Sequence, residues 1–176
     1  MQRDKVKFLT YVAMYIALYV VLKFVGNLIP FLKMPQGGSI ELELIALFMA
    51  SYHLGFQAGV LVAGLSWLIT FMLGIEMWFV HPVQILLDYV LPLGIIGLAS
   101  VFPKKYGLAI VLPMLIKYGS QVLSGVYYWP PKNEAAGSTA AWIFSLNYNA
   151  WYNLATLVIC LLVVPLLWTR IQRLVK

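Results

Sequence analysis

The chain has 176 residues and a net charge of +6; 62% of the residues are hydrophobic and 10% are charged. A soluble domain of this composition would expose a very large apolar surface, so the composition excludes a soluble fold and indicates an integral membrane protein. The positive charge does not indicate nucleic-acid binding, because the basic residues flank apolar segments and form no separate basic groove.

Six apolar segments reach or approach the roughly 20 residues that a helix needs to cross the hydrocarbon core. They cover approximately residues 8–26, 40–54, 56–73, 82–102, 107–126 and 142–169. The sequence therefore predicts an all-α integral membrane protein, a six-transmembrane-helix bundle that forms one domain over residues 1–176. Glu41 and Glu43 start the short second segment, so we expect this helix to be tilted or to begin as irregular backbone lining a cavity.

The distribution of charge indicates the orientation, because Lys and Arg residues near helix ends stay on the cytoplasmic side. With six helices, one side of the membrane receives Arg3, Lys5, Lys7, Lys104, Lys105, Arg170, Arg173 and Lys176. The opposite side receives Glu41, Glu43, Glu76, Asp88 and Glu134. We therefore expect a multi-pass protein of the plasma membrane with both termini in the cytoplasm.

Polar and aromatic side chains gather near the predicted outer ends of the helices. The first outer loop contains Gln36, Gly37, Gly38 and Ser39, and its glycines permit close approach to a ligand. The other candidate binding residues are Trp78, His81, Gln84, Asp88, Tyr89, Gln121, Trp129, Phe144, Asn147 and Asn149. Aromatic rings with a few polar groups and one acid suit a flat heteroaromatic molecule, including a cationic one.

Asp88 is the strongest of these candidates, since an ionisable side chain inside a membrane segment is costly and by default marks a functional site. Gln84 lies one turn earlier on the same helix face. Other features have ordinary structural explanations: Trp and Tyr form girdles at membrane interfaces, and His81 before Pro82 can cap the fourth helix. For Lys117 we expect a structural role, through snorkelling or pairing with an acid.

On the first helix, Ala13 and Ala17 place two small residues one turn apart. Small residues at this spacing allow another helix to approach closely. The pattern alone leaves packing within the bundle and docking of a partner as alternatives.

In this order and spacing, the motifs resemble the thiamine-specific substrate-binding component (S component) of energy-coupling factor (ECF) transporters. The motifs are Ala13-xxx-Ala17, Gln36-Gly37-Gly38-Ser39-Ile40, His81-Pro82-Val83-Gln84 leading to Asp88-Tyr89, Gln121-Val-Leu-Ser124-Gly125-Val126, and Ser145-Leu-Asn-Tyr148-Asn149. The resemblance implies a vitamin-binding subunit that associates with a transmembrane coupling subunit and two cytoplasmic ATPases. It also implies that Ala13 and Ala17 form the docking surface. We expect no catalytic residue, cofactor or metal.

Four positions depart from the pattern of thiamine binders: Asp88 replaces Glu, Trp78 replaces Tyr, Gln121 replaces His and Phe144 replaces Tyr. Trp129 and Asn149 match a ring-stacking Trp and a polar Asn of that pattern. Thiamine is therefore the first expected ligand. Because a site built on hydrogen bonds rejects ligands that leave them unpaired, pyridoxine (vitamin B6) or the hydroxymethylpyrimidine precursor stays an alternative.

Two other classes of protein are less consistent with the sequence. An intramembrane enzyme could use Glu76, His81 and Asp88, but their spacing matches no metal-binding motif and no nucleophile elbow is present. A stand-alone carrier would need an inverted repeat, which the sequence lacks. The sequence also has no Gly-rich phosphate loop ending in Gly-Lys-Ser/Thr, so ATP hydrolysis would fall to partner subunits.

Overall fold

The structure is a computed structural model that describes residues 2–75, 77–103 and 105–175. Its main helices are α1 (Gln2–Leu28), α2 (Leu44–Leu54), α3 (Phe56–Met72), α4 (Pro82–Gly97), α5 (Leu108–Tyr128) and α6 (Thr139–Val175). The described residues contain no β-strand, and extended backbone pairs only at Lys33 and Ser39. Three residues used to predict the orientation, Glu76, Lys104 and Lys176, lie outside the described residues.

The helix order confirms the predicted all-α, six-helix architecture. Helices α1, α5 and α6 are long and apolar enough to cross a membrane, whereas α2, α3 and α4 are shorter apolar helices. α1 and α6 extend beyond the predicted segments, because hydropathy reports the apolar part of a helix and misses its polar ends.

α2 is the centre of the bundle. Every residue from Leu44 to Ser51 is buried, and the helix packs against α1, α3, α4 and α6. A helix enclosed on all sides needs no polar face, which explains the continuous apolar sequence of this segment. Glu41 and Glu43 precede the helix in turn and irregular backbone, as expected.

α4 contains a widened turn at the position of its carboxylate. Residues Leu86–Val90 form a π-helical turn, in which the Leu91 N–H donates to the Leu86 carbonyl. Pro92 explains the irregularity, because proline lacks an N–H and its ring crowds the carbonyl four residues earlier, which is that of Asp88. Single π-helical turns of this kind occur frequently at functional sites.

One end of the bundle collects the features that form the candidate site. α1, α3 and α5 end there, and α2, α4 and α6 begin there, because consecutive helices run in opposite directions. The described parts of the connecting segments, residues 29–43, 73–75, 77–81 and 129–138, consequently meet at this end. The predicted topology makes it the outer end.

Candidate ligand-binding cavity

A cavity of about 260 Å³ lies at this end of the bundle. Most of the candidate residues line it: Trp78, Gln84, Asp88, Tyr89, Gln121, Trp129, Phe144 and Asn149, together with Gly37, Gly38 and Ser39 from the first outer loop. With Lys23 and Asn27 of α1, the cavity is built from six separate segments of the chain. Its volume lies just below the range typical of small-molecule sites, roughly 300–1,000 Å³.

Two candidates lie outside the cavity wall, and one cannot be placed. His81 caps α4, where its Nδ1 accepts from the Val83 N–H at 3.2 Å, and its ring stacks on Tyr128. Asn147 is exposed on the outer side of α6 and donates to the Ile143 carbonyl at 2.9 Å. The side chain of Gln36 lies outside the described part of the structure.

Asp88 forms the acidic part of the wall. The Ser124 hydroxyl donates to its Oδ2 at 2.7 Å, and the Gln84 side chain also interacts with the carboxylate. Ser120 on the same face of α5 donates to the Leu87 carbonyl at 2.6 Å, which satisfies backbone within the widened turn. α5 therefore holds both the carboxylate and the irregular backbone that presents it.

Trp78 is held over the cavity by Tyr89, which follows Asp88 in the widened turn of α4. The Trp78 N–H donates to the Tyr89 hydroxyl at 2.9 Å, and that hydroxyl donates to the Trp78 carbonyl at 3.1 Å. A residue of the connecting loop is thereby tied by two hydrogen bonds to α4. The Tyr89 hydroxyl thereby supports the backbone that presents the indole.

Residues 36–39 of the first outer loop, which we call the lid loop, line the cavity through Gly37, Gly38 and Ser39. Gly37 has a φ of +97°, and a Cβ there would lie 2.6 Å from the Trp78 ring. The Gly38 N–H donates to the Tyr148 hydroxyl at 3.3 Å. A left-handed backbone in direct contact with an indole requires glycine, so the packing of this loop against Trp78 depends on Gly37.

Two ion pairs lie beside the cavity. Lys23 on α1 contacts Glu43 at 2.7 Å, and Lys117 on α5 contacts Glu41. Lys23 and Glu41 also line the cavity. Both acids thus have a lysine partner, whereas the hydrogen-bond partners of Asp88 are uncharged. Lys117 has the acidic partner that the sequence suggested.

Amide side chains form the cavity floor between α5 and α6. Gln121 Oε1 accepts from Lys117 Nζ and from Asn153 Nδ2, both at 2.9 Å. Asn149 donates to the Ser145 carbonyl at 2.9 Å, and its Oδ1 accepts from the Tyr152 hydroxyl. These bonds determine which amide atoms face the cavity.

An aromatic wall consists of Phe144, Tyr148 and Tyr152, at successive turns of α6. Phe144 stacks on Tyr148 with ring centroids 6.0 Å apart, and Tyr148 meets Tyr152 edge to face at 6.1 Å. All three line the cavity. Tyr148 and Tyr152 were not among the predicted binding residues, although their spacing of four from Phe144 places them on its helix face.

Further lining residues also escaped the sequence interpretation: Lys23, Asn27, Lys33, Met34, Pro35, Gly125 and Ser145. Gly125 carries a clear packing signal in the structure, since a Cβ there would lie 2.2 Å from Ser145 Oγ. Nothing in one sequence distinguishes such residues from ordinary helix contacts.

Among the described residues, no cluster of three or more His, Cys, Asp and Glu side chains could hold a metal ion.

Ala13 and Ala17 lie on the opposite side of α1 from the core. Both are exposed, as are neighbouring apolar side chains on the helix: Leu9, Met14 and Leu18. The buried face of α1 consists of Val12, Tyr15, Tyr19 and Gly26. The two alanines therefore do not pack within the described bundle.

A six-helix membrane bundle with a polar and aromatic cavity at one end defines a membrane-embedded small-molecule binding protein. Residues 9–176 match the family model described as thiamine transporter protein (Thia_YuaJ), and the chain belongs to that family. It is a multi-pass membrane protein of a transport family, and this class of protein is not an enzyme.

Two individual matches support the assignment to this family. The thiamine transporter ThiT of Bacillus subtilis (strain 168) is 33% identical over 94% of this chain and 92% of its own length. A solved structure of ThiT from Listeria monocytogenes has the same fold, with a TM-score of 0.74 and 21% identity. That match covers 94% of this chain and 96% of the solved chain.

Proposed function

We propose that the protein is the S component of an ECF transporter and that it binds thiamine in the cavity. The observation that carries this proposal is the placement of Asp88, a carboxylate with uncharged hydrogen-bond partners, in a cavity walled by aromatic rings. A membrane-embedded carboxylate of this kind favours a ligand that donates hydrogen bonds or carries positive charge. Thiamine does both, through its amino group and its thiazolium ring.

In the proposed complex, the rings of thiamine stack against Trp129 and Trp78 and the thiazolium cation faces aromatic surface. The Asp88 carboxylate accepts from the aminopyrimidine. Asn149 Oδ1 accepts from Tyr152 and retains a second lone pair for the ligand. The hydroxyls of the aromatic wall, which the sequence interpretation overlooked, add polar groups near the same ring system.

The cavity favours thiamine over the single-ring alternatives. Pyridoxine and hydroxymethylpyrimidine carry no permanent positive charge, so neither provides a cation for the aromatic faces. Each also has one ring fewer than thiamine and would fill less of the cavity of about 260 Å³. The family to which the chain belongs supports the same choice.

For transport, we propose that α1 docks onto a transmembrane coupling subunit through the face that contains Ala13 and Ala17, and that two cytoplasmic ATPases supply the energy. The exposure of these small residues supports this assignment, since a flat helix surface permits close helix contact. The lid loop would open when the coupling subunit reorients the bundle.

The test is a titration of the purified protein with thiamine, pyridoxine and hydroxymethylpyrimidine, followed by tryptophan fluorescence. We expect saturable quenching at the lowest concentration for thiamine and its loss in Trp129→Ala. Trp151→Ala is the matched control, because Trp151 is 70% exposed and lies outside the cavity. Tighter binding of a single-ring ligand would overturn the thiamine assignment, and binding of none would overturn the cavity as the site.

A further inference from the structure

Lys117 lies behind the cavity floor, and the hydrogen-bond and ion-pair partners of its ammonium group are all oxygen atoms. Its side chain is 0% exposed, and it does not line the cavity. Its partners are Glu41, Gln121 Oε1 at 2.9 Å and Asn153 Oδ1 at 2.8 Å. An ammonium group has three N–H donors and no acceptor. Each partner must therefore present an oxygen to it.

This requirement determines the orientation of the Gln121 amide. Gln121 Oε1 points to Lys117 and also accepts from Asn153 Nδ2 at 2.9 Å, so both of its lone pairs are occupied. Gln121 Nε2 has no hydrogen-bond partner among the described residues, and Gln121 lines the cavity. Without a neighbouring cation, the amide could rotate and present either its oxygen or its nitrogen.

We infer that Lys117 is a positioning residue: through Gln121 it makes the cavity floor a hydrogen-bond donor, so the ligand must place a hydrogen-bond acceptor there. Asp88, which approaches the cavity from α4, supplies an acceptor. A heteroaromatic ring with an amino group beside an unprotonated ring nitrogen complements this donor and acceptor pair. The inference rests on the proposed function for the identity of the ligand and goes beyond it in assigning the chemistry of the floor.

The experiment compares thiamine with two analogues, each with one pyrimidine ring nitrogen replaced by C–H. The measured quantity is the ratio of the analogue Kd to the thiamine Kd. For the wild-type protein we expect a ratio of about 10 or more for one analogue, because the Gln121 N–H loses its acceptor. Gln121→Leu removes the donor and should lower that ratio to about one.

Lys117 is tested with two variants. In Lys117→Gln combined with Glu41→Gln, the new amide can donate or accept, so Gln121 is free to rotate and the ratio should fall. Lys117→Arg retains only donors and should keep the ratio of the wild-type protein. A purely structural Lys117 would weaken thiamine and both analogues by the same factor and leave the ratio unchanged, which would overturn the inference.

Other outcomes separate this inference from the proposed function. Wild-type ratios near one for both analogues, with thiamine bound, would overturn the role of Gln121 and Lys117 alone. If the protein binds hydroxymethylpyrimidine in place of thiamine, the same ratios measured with its two C–H analogues decide the inference independently. Failure to bind either compound would overturn both proposals.

Discussion

Lys117 in the middle of α5 forms a buried ion pair with Glu41, which lies just before the start of α2. The lysine is completely buried and the glutamate is 13% exposed. The Glu41 N–H also donates to Thr156 Oγ1 on α6, at 3.1 Å. One acidic residue thus ties the end of the first outer loop to two helices that form the cavity floor.

Removal of one partner of this pair should destabilise the protein strongly. Lys117→Met leaves the Glu41 carboxylate buried without a cation, which typically costs about 3–5 kcal/mol. We expect a clear fall in the melting temperature in detergent. Lys117→Met combined with Glu41→Gln should recover most of the loss, because no unpaired charge remains. Equal melting temperatures for Lys117→Met and the wild-type protein would contradict the burial of the pair.

The closure of the lid loop should depend on Gly37. Gly37→Val introduces a Cβ against the Trp78 indole and a branched residue at a φ of +97°. We expect thiamine affinity to fall by about tenfold through faster dissociation, as a strain of roughly 1–2 kcal/mol predicts. Stopped-flow fluorescence measures the rate. Gly119→Ala is the control, since a Cβ at Gly119 meets no atom within 4 Å and should leave dissociation unchanged.

The Tyr89 hydroxyl should contribute to thiamine affinity because it supports Trp78. Tyr89→Phe removes both hydrogen bonds to the Trp78 backbone, so the indole loses its support and thiamine affinity should fall by about 5- to 10-fold. Equilibrium titration tests this expectation. Tyr127→Phe provides a matched loss of one hydroxyl at a residue that is 56% exposed, and it should bind thiamine as the wild-type protein does. Equal affinities for the two variants would refute the supporting role.

The proposed docking face predicts a separation of binding from transport. Ala17→Phe adds a large ring to the exposed side of α1, away from the cavity, so thiamine binding should persist while association with the coupling subunit is lost. Co-purification and thiamine uptake by cells report the two effects. Leu162→Phe, at an exposed position of α6 on the lipid side, is the control. Normal uptake by Ala17→Phe would place the docking surface elsewhere.

The sequence predicted the architecture because long apolar segments leave few alternatives in a bilayer. It also identified Asp88 as the strongest candidate binding residue, since an intramembrane carboxylate stands out against apolar neighbours. The widened turn around Asp88 was missed, although Pro92, four residues later, was a usable signal.

The contributions of other residues depend on three-dimensional packing. Tyr152 is explained in the sequence as part of an interfacial girdle, and Tyr148 appears there only within a motif. Only the fold brings the two side chains to the cavity. His81 and Asn147 are close in sequence to residues that line the cavity. In the structure, His81 caps a helix and Asn147 faces outward. A side chain on a helix can face the cavity or the lipid, and a single sequence does not distinguish the two for an amphipathic residue.

The most direct test of thiamine binding at the cavity is isothermal titration of thiamine into the wild-type protein and Asp88→Asn. The substitution keeps the shape of the side chain and removes its charge. With one charged hydrogen bond lost, we expect one site per chain and an affinity lower by about 10- to 100-fold in the variant. Glu134→Gln, at an exposed position of the 129–138 segment, should bind as the wild-type protein does. An unchanged Kd for Asp88→Asn would contradict the account.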